Sequence, residues 1–167
     1  MISEANFYVL KRTRRVPFPH MGPADARVWR AALQAGLMPA DRYEYDVRLG
    51  GKAAGLVPAE HEHAEMWAEL LRKRVDVVAW RGDVPWIVEV KPIASFAALG
   101  QCLGYRSLWM AERRPGAAPR AACVCAICDA DLEPVFGEFG VSVFVLPPRW
   151  ADAVGLHLRG PGLDSAT

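Results

Sequence analysis

The chain contains 167 residues, of which 52% are hydrophobic and 23% are charged, and its formal net charge is +1. This length and composition predict a single compact domain with a sizeable apolar core, and no internal repeat or low-complexity tract is visible. The near-neutral charge neither requires nor excludes a polyanionic partner, because a local basic stripe can coexist with a neutral total.

The N-terminus and the cysteines bear on the cellular compartment. "MISEANFYVLKRTRR" places apolar residues before basic ones and has no long apolar stretch, so it resembles neither a signal peptide nor a membrane span. We therefore expect a cytoplasmic protein with no membrane partner. Its four cysteines should then be reduced thiols that pack as small buried hydrophobes: Cys102, Cys123, Cys125 and Cys128.

The first predicted elements are a helix and a strand. "GPADARVWRAALQAGL" has Pro23 near its start and Gly36 near its end, and its apolar side is formed by Val28, Ala31, Ala32 and Ala35. "RYEYDVRLG" alternates apolar with charged residues, which is typical of a half-buried strand. One face of this strand should carry Tyr43, Tyr45, Val47 and Leu49, and the other Glu44, Asp46 and Arg48.

A Gly-rich loop and a second helix follow. The loop includes "GGKAAG", which lacks the Lys-Ser/Thr ending of a phosphate-binding loop. The helix should begin at Pro58, and we expect its apolar stripe to cover one face of a sheet. That stripe consists of Met66, Trp67, Leu70 and Leu71.

A hairpin comes next in the predicted order. Strands over residues 75–80 and 85–91 are joined by "RGDV", in which Gly82 and Asp83 suit a tight turn. The spacing then predicts a helix over residues 94–113, a buried strand in "AACVCAIC", a short helix in "DADLEPVFGEFG" and a buried strand in "VSVFVLP". This order gives a basic arm over residues 1–22, one α/β domain over 23–148 and a C-terminal tail over 149–167, in which "RGPGLDSAT" should be loose.

Three charged residues of the hairpin should meet on one face. With Gly82 and Asp83 at the turn, opposed residues have numbers that sum to 165, so Asp76 faces Glu89. Alternate residues of a strand share a face, which places Lys91 beside Glu89. Flanking valine, isoleucine and tryptophan predict that these charges are buried, where an unpaired charge is very costly.

Two facing carboxylates repel each other unless a cation lies between them. Their hard oxygen atoms suit Mg²⁺ or Mn²⁺, with the carbonyl of Val90 as a further candidate ligand. The neighbouring Lys91 could orient or help deprotonate an attacking water, or stabilise charge on a phosphate. The pattern therefore predicts hydrolysis of phosphodiester bonds.

This arrangement resembles the PD-(D/E)xK nuclease superfamily, whose signature is an acid on one strand followed by Glu-x-Lys on the next, here Asp76 and then "EVK" at Glu89 to Lys91. In the following helix, Gln101 and Tyr105 are similar to the Gln-x-x-x-Tyr element of RecB-type exonucleases, where they would position the lysine or the substrate strand. The resemblance covers residues 23–146. It implies a restriction-endonuclease-like core with a mixed central sheet flanked by helices, and DNA as the substrate.

Two departures from the family pattern are visible. Val75, rather than proline, precedes the hairpin acid. No acidic ligand can be assigned on the first helix, where Asp25 is the only acid, so that role stays open.

Other interpretations remain for the same residues. The hairpin charges could form an ion-pair cluster at a solvated sheet edge, or belong to an inactive nuclease-fold module for nucleic-acid binding or particle assembly, as a homo-oligomer or in a larger complex. The four cysteines invite an iron–sulfur interpretation, but none precedes the hairpin as RecB-type nucleases with such a cluster would require. "EHEH" at residues 60–63 lacks the spacing of a helical zinc motif.

The first thirty residues are the candidate phosphate-binding surface, because lysine and arginine bind a phosphate backbone without reading sequence. If that arm is only a solvated extension, the alternative surface lies beside the hairpin, at Arg72, Lys73 and Arg74. The basic residues of the arm and first helix, set against Glu4 and Asp25, are Lys11, Arg12, Arg14, Arg15, Arg27 and Arg30.

Overall fold

The structure is a computed structural model that describes residues 18–50, 64–113 and 116–155. Ten helices and strands are assigned within these ranges. In chain order they are α1 (Pro23–Gln34), β1 (Arg42–Leu49), α2 (Ala64–Leu70), β2 (Lys73–Arg81), β3 (Val84–Ile93), α3 (Phe96–Arg113), β4 (Arg120–Ile127), α4 (Leu132–Glu138), β5 (Val141–Val145) and α5 (Pro148–Ala153).

The five strands form one mixed sheet in the order β1-β2-β3-β4-β5. Strands β1, β2 and β3 are antiparallel to one another, whereas β3, β4 and β5 run parallel. Helix α3 makes the connection from β3 to β4 and α4 makes the one from β4 to β5, as parallel pairing requires a crossover. The predicted α/β class, a mixed sheet flanked by helices, is therefore confirmed.

Helices cover both faces of the sheet. On one face α1 and α5 pack over alternate residues of the central strands, including Val88, Val90 and Val124. On the other face α3 and α4 cover a second set, which includes Ile87 and Cys123. The central strands are therefore buried on both sides, which explains their near-continuous apolar sequences.

The hairpin register is the predicted one. Strands β2 and β3 are joined by Gly82 and Asp83, and the paired residues run from Val77 with Val88 to Arg81 with Val84, each pair summing to 165. Gly82 has φ of +57°, a conformation that glycine adopts without steric penalty. The turn therefore fixes the positions of the charged residues further along both strands.

The predicted alternation of β1 is wrong at its midpoint. Tyr43 and Tyr45 pack on the α1 side, but Val47 and Leu49 pack under α3 instead of sharing the face of the tyrosines. Between them Asp46 has φ of +52°, which interrupts the two-residue period of the strand. A single left-handed residue thus sends the two halves of β1 to opposite faces.

The second predicted helix does not bury its apolar stripe. Of its residues, Met66, Trp67 and Leu70 are 52%, 44% and 61% exposed, because α3 occupies the sheet face that α2 was expected to cover. Strand β5 also differs from the buried strand that we expected, since it ends the sheet and only Val141 of its residues is buried. The predicted helix start at Pro58, "GGKAAG" and "EHEH" lie outside the described residues.

The ends of the described chain pack onto the α1 face. Phe18 is buried there, and so are Ala151 and Val154 at and just after α5. Most of the predicted arm, residues 1–17, lies outside the described ranges, as do residues 156–167. Among the described helices, none has both the length and the apolarity that crossing a membrane would demand.

Candidate active site

Glu89 and Lys91 lie two residues apart on β3, on the side of the sheet that faces α3. The Lys91 Nζ atom lies 2.6 Å from Glu89 Oε1, and the Glu89 side chain is only 2% exposed. Glu89 Oε2 is buried and has no hydrogen-bond partner among the described residues. Because buried carboxylate oxygens are nearly always paired, this atom marks a place where a further ligand is expected.

Asp76 lies on β2 at the position that the register opposes to Glu89, one step beyond the last paired residues. Its Oδ2 atom accepts a hydrogen bond of 2.9 Å from the backbone N–H of Val90. Val75 packs under α3 whereas Val77 packs under α1, so β2 changes face at Asp76. Asp76 therefore lies where β2 changes from the α3 side of the sheet to the α1 side.

The charges of Asp76, Glu89 and Lys91 shift one another's pKa values. Burial, followed by the charge of Asp76, raises the pKa of Glu89 to about 7, against the lowering effect of Lys91. Burial also raises the pKa of Asp76, although Val90 and Lys91 oppose the shift. Burial alone would lower the pKa of Lys91, but Glu89 and Asp76 reverse this and raise it. Lys91 is therefore a stable ammonium ion, and the carboxylates are poised to accept a proton or a cation.

Gln101 and Tyr105 face the same region from α3. The amide Nε2 of Gln101 donates a 3.1 Å hydrogen bond to the Tyr105 hydroxyl, as the four-residue spacing on one helical face allows. Burial raises the pKa of Tyr105, and the charges of Glu89, Asp76 and Lys91 act on its hydroxyl as well. The structure therefore brings all five predicted side chains to one end of β3.

Sequence reasoning left the role of Asp25 open, and the structure places this residue close to the site. Asp25 is in the first turn of α1. Its charge contributes to the raised pKa values of Asp76 and Glu89 and also acts on Lys91. Because it comes from the opposite layer to α3, only the packing of α1 on the sheet reveals its position.

Buried cysteines lie next to the charged residues of β3. In the parallel ladder Cys123 lies opposite Glu89, and Cys125 lies opposite Lys91. The Cys102 thiol donates to the carbonyl of Ala122 at 3.3 Å, and burial raises its pKa to about 12. Cys102, Cys123 and Cys125 are free and buried, which agrees with the prediction of small buried hydrophobes, whereas Cys128 is partly exposed and departs from it.

The donor set suits a hard divalent cation. Asp76 and Glu89 offer carboxylate oxygens, and the orphaned Glu89 Oε2 is a ligand atom without a partner. Among residues 18–50, 64–113 and 116–155, no three His, Cys, Asp or Glu side chains are grouped closely enough to hold a metal ion. Mg²⁺ usually retains several waters and binds through one or two carboxylates, so two carboxylates are enough for its usual coordination.

The described residues of the two predicted basic surfaces differ in their contacts. Arg27 and Arg30 lie on α1, and the Arg30 guanidinium lies 5.9 Å from the centre of the Phe18 ring. Arg72 donates to the carbonyl of Arg48 at 2.8 Å. Lys73 is exposed at the start of β2, and the last residue of the alternative surface, Arg74, pairs with Asp46 at 3.4 Å.

Comparison with known proteins returns no relative. No family model matches the sequence, and neither a curated protein nor a solved structure matches it at a significant level. The resemblance to the PD-(D/E)xK superfamily therefore rests on the hairpin and α3 side chains of this chain, and it stays a prediction.

Proposed function

We propose that this protein is a metal-dependent DNA nuclease that hydrolyses phosphodiester bonds, with a restriction-endonuclease-like core. The observation that carries the proposal is the buried Glu89, which is 2% exposed, holds Lys91 at 2.6 Å through one oxygen and has no partner for the other. A purely structural ion pair would satisfy both oxygens, because an orphaned buried acceptor is destabilising.

Asp76 and Glu89 would hold Mg²⁺ or Mn²⁺, and this ion would supply Lewis-acid activation of the phosphodiester. The hydrogen bond from Val90 to Asp76 Oδ2 supports this role, because it fixes one carboxylate oxygen and so orients the other. The same N–H ties the backbone of Val90 to the site. The Val90 carbonyl remains a candidate further ligand.

Lys91 would stabilise negative charge on the phosphate. Its raised pKa keeps the ammonium ion protonated, which favours electrostatic stabilisation over proton abstraction. Its side chain is 28% exposed, so the Nζ atom can contact both Glu89 and a ligand that approaches from solvent. Lys91 thus connects the buried carboxylate with the solvent-facing part of the site.

Gln101 and Tyr105 would position Lys91 or the substrate strand. Since Gln101 donates to the Tyr105 oxygen, the phenol proton of Tyr105 is free to be donated elsewhere. Both side chains are half-buried, so their donors stay accessible to a ligand. Hydrogen-bond donors in this position suit the anionic oxygens of a phosphodiester.

Cleavage of a labelled oligonucleotide with added Mg²⁺ or Mn²⁺ tests the proposal. Asp76→Ala and Lys91→Ala should each reduce the cleavage rate about a hundredfold or more. Asp41→Ala is a matched control, because Asp41 Oδ2 also accepts a backbone N–H, that of Gly82 at 2.7 Å, but at the hairpin turn. Cleavage that survives unchanged in Asp76→Ala would refute the assignment.

Calorimetric titration with Mn²⁺ separates the nuclease from the inactive module that the sequence left as the alternative. The wild-type chain should bind Mn²⁺, and Glu89→Ala should lose that site. A chain that binds DNA but shows neither Mn²⁺ binding nor cleavage would favour the module for nucleic-acid binding or assembly.

A further inference from the structure

A second cluster of charged side chains lies at the edge of the candidate active site and joins three elements. His20, which precedes α1, places its Nε2 atom 3.2 Å from Asp46 Oδ2 on β1. Arg74, near the start of β2, places Nη1 3.4 Å from Asp46 Oδ1. The central carboxylate is only 15% exposed, whereas His20 and Arg74 are 53% and 31% exposed. The open side of the cluster therefore carries its two nitrogen-rich side chains.

Unusual backbone conformations hold the contact between His20 and Asp46 at both ends. His20 has φ of +63° and Asp46 has φ of +52°, and no other non-glycine residue in the described ranges has a positive φ. Such conformations are uncommon outside glycine and persist where the surrounding structure enforces them, often at functional sites. The two exceptional residues of the fold thus contact each other.

The strand register places this cluster beside Asp76. Tyr45 pairs with Val77 and Val47 pairs with Val75, so Asp46 and Asp76 occupy the intervening positions of neighbouring strands. Adjacent strands lie about 4.8 Å apart, and residues two apart on one strand are separated by about 7 Å. Asp46 therefore lies beside Asp76 on the neighbouring strand, and Arg74 precedes Asp76 by two residues on β2.

Arg74 has weaker contacts with carboxylates than the other arginines in this part of the sheet. Arg48 pairs with Glu69, and Arg72 both contacts Glu69 at 3.4 Å and lies 3.9 Å from Glu112. Asp46 is the single carboxylate within 4 Å of Arg74 among the described residues, and its Oδ1 atom forms no hydrogen bond there. A looser ion pair whose arginine is partly exposed can turn toward an anionic ligand.

We propose that His20 and Arg74, oriented by Asp46, bind a phosphate of the substrate strand next to the one held at Asp76 and Glu89. The inference rests on the proposed function for the identity of its ligand, a nucleic-acid phosphodiester. Guanidinium is a forked donor that matches phosphate oxygens, and imidazole adds a second donor on the other side of Asp46. The acidic site needs such cations nearby, because its carboxylates repel an approaching phosphate backbone.

Fluorescence anisotropy of a fluorescein-labelled oligonucleotide, as duplex and as single strand and without divalent cations, tests this site. Arg74→Gln should weaken binding about tenfold, and His20→Gln about threefold. Loss of the arginine contact should also reduce the slope of log affinity against log salt by about 0.9 on duplex or about 0.7 on a single strand.

Arg42→Gln is the matched control. Like Arg74, Arg42 has one carboxylate partner among the described residues, Glu44 at 3.5 Å, but it lies at the start of β1, at the opposite end of the β1–β2 pair from Arg74. It should leave the salt slope unchanged. Equal losses in Arg74→Gln and Arg42→Gln would overturn the inference, because they would reflect net charge alone.

Two further outcomes separate this inference from the proposed function. Oligonucleotide binding that depends on Arg74 in a chain without metal-dependent cleavage would keep the phosphate site and remove the nuclease. Cleavage that requires Asp76, together with unchanged affinity and salt slope in both Arg74→Gln and His20→Gln, would overturn the phosphate site. In that case the cluster is a structural link between α1 and β1, which urea denaturation of His20→Gln would register.

Discussion

At the hairpin end of the sheet, arginines lie over tryptophan rings and remain in contact with water. The Arg42 guanidinium lies 4.1 Å from the centre of the Trp80 ring, and those of Arg81 and Arg120 lie 4.6 and 5.3 Å from that of Trp86. Each cation keeps its solvent and gains a cation–π contact, which is worth about 0.5 to 1 kcal/mol at exposed sites. These charges need no explanation beyond folding.

At the opposite end of the same strands the charges are withdrawn from water. Glu89 is almost completely buried with one oxygen unpaired, and Asp76 lies close enough to raise its pKa. Desolvating like charges together opposes folding unless a cation compensates. The comparison teaches that one sheet carries solvated charges at one end and, at the other, a buried carboxylate that Lys91 pairs through only one oxygen.

Lys91→Met should have the largest effect on stability. Removing one partner of a buried ion pair typically costs about 3 kcal/mol or more, and the partial exposure of Lys91 places the expected loss at about 2 to 3 kcal/mol. Urea denaturation near neutral pH, without divalent cations, measures it. The loss should grow as the pH rises, because Glu89 can then no longer relieve its isolation by taking up a proton.

Arg81→Met is the corresponding change at the hairpin end. Arg81 donates to the carbonyl of Pro39 at 2.8 Å and stacks on Trp86, so its removal should cost about 1 kcal/mol. Similar losses for the two variants would abolish the distinction between the ends of the sheet.

Glu89→Gln should remove a pH dependence from the metal-free protein. The folded pKa of about 7 exceeds the ordinary value of 4.5, so the stabilising contribution is complete below about pH 4.5 and is lost as the pH rises through 7. Wild-type stability should therefore fall by about 2 kcal/mol from about pH 5 to about pH 8, and the Gln variant should lack this fall. Denaturation curves at both pH values decide the point.

Divalent cations sharpen the same test. Mn²⁺ should raise the melting temperature of the wild-type chain at about pH 8, because binding to the folded state alone stabilises it. Glu89→Gln should show little of this rise. If the wild-type free energy of unfolding changed neither with pH nor with Mn²⁺, the pKa of Glu89 would not be raised by its burial and by Asp76.

The hairpin could be predicted from sequence because its geometry is local. A two-residue turn at Gly82 and Asp83 fixes every pair above it, so Glu89 and Lys91 could be placed by counting. The Gln101 to Tyr105 contact follows in the same way from the helical repeat. Local periodicities thus supply most of the candidate site.

The remaining features depend on packing between distant segments. Asp25 acts on Glu89, and His20 contacts Asp46, because α1 and the residues before it lie on the sheet, and no spacing in the sequence encodes that approach. The face change at Asp46 was missed because alternation assumes a regular strand. Trp67, on α2, was assigned to a buried face by its helical period, although α3 already covers that face. These features depend on which segments pack against the sheet, and the periodicity of a single segment carries no information about that packing.

Tyr105→Phe should have a moderate effect that separates function from stability. The change removes the hydrogen bond from Gln101, with an expected cost of about 1 kcal/mol, and it should also lower the cleavage rate. Tyr43→Phe is a matched change on the α1 face, where the Tyr43 hydroxyl donates to the carbonyl of Met38 at 2.6 Å. It should cost a similar free energy of unfolding but leave cleavage intact. Equal activities in the two variants would place Tyr105 among the structural residues.

Arg42→Ala should have the smallest effect and thereby define the solvated end of the sheet. The Arg42 side chain is 59% exposed, pairs with Glu44 at 3.5 Å and stacks on Trp80. Exposed ion pairs contribute little, and Trp80 keeps its own hydrogen bond to Glu44 at 2.9 Å when the arginine is removed. We expect a loss of about 0.5 kcal/mol in urea denaturation, and less in high salt, where surface charges are screened. A loss above about 2 kcal/mol would show that charges at the hairpin end are as tightly coupled to folding as those around Glu89, and the contrast between the two ends would then no longer point to a ligand.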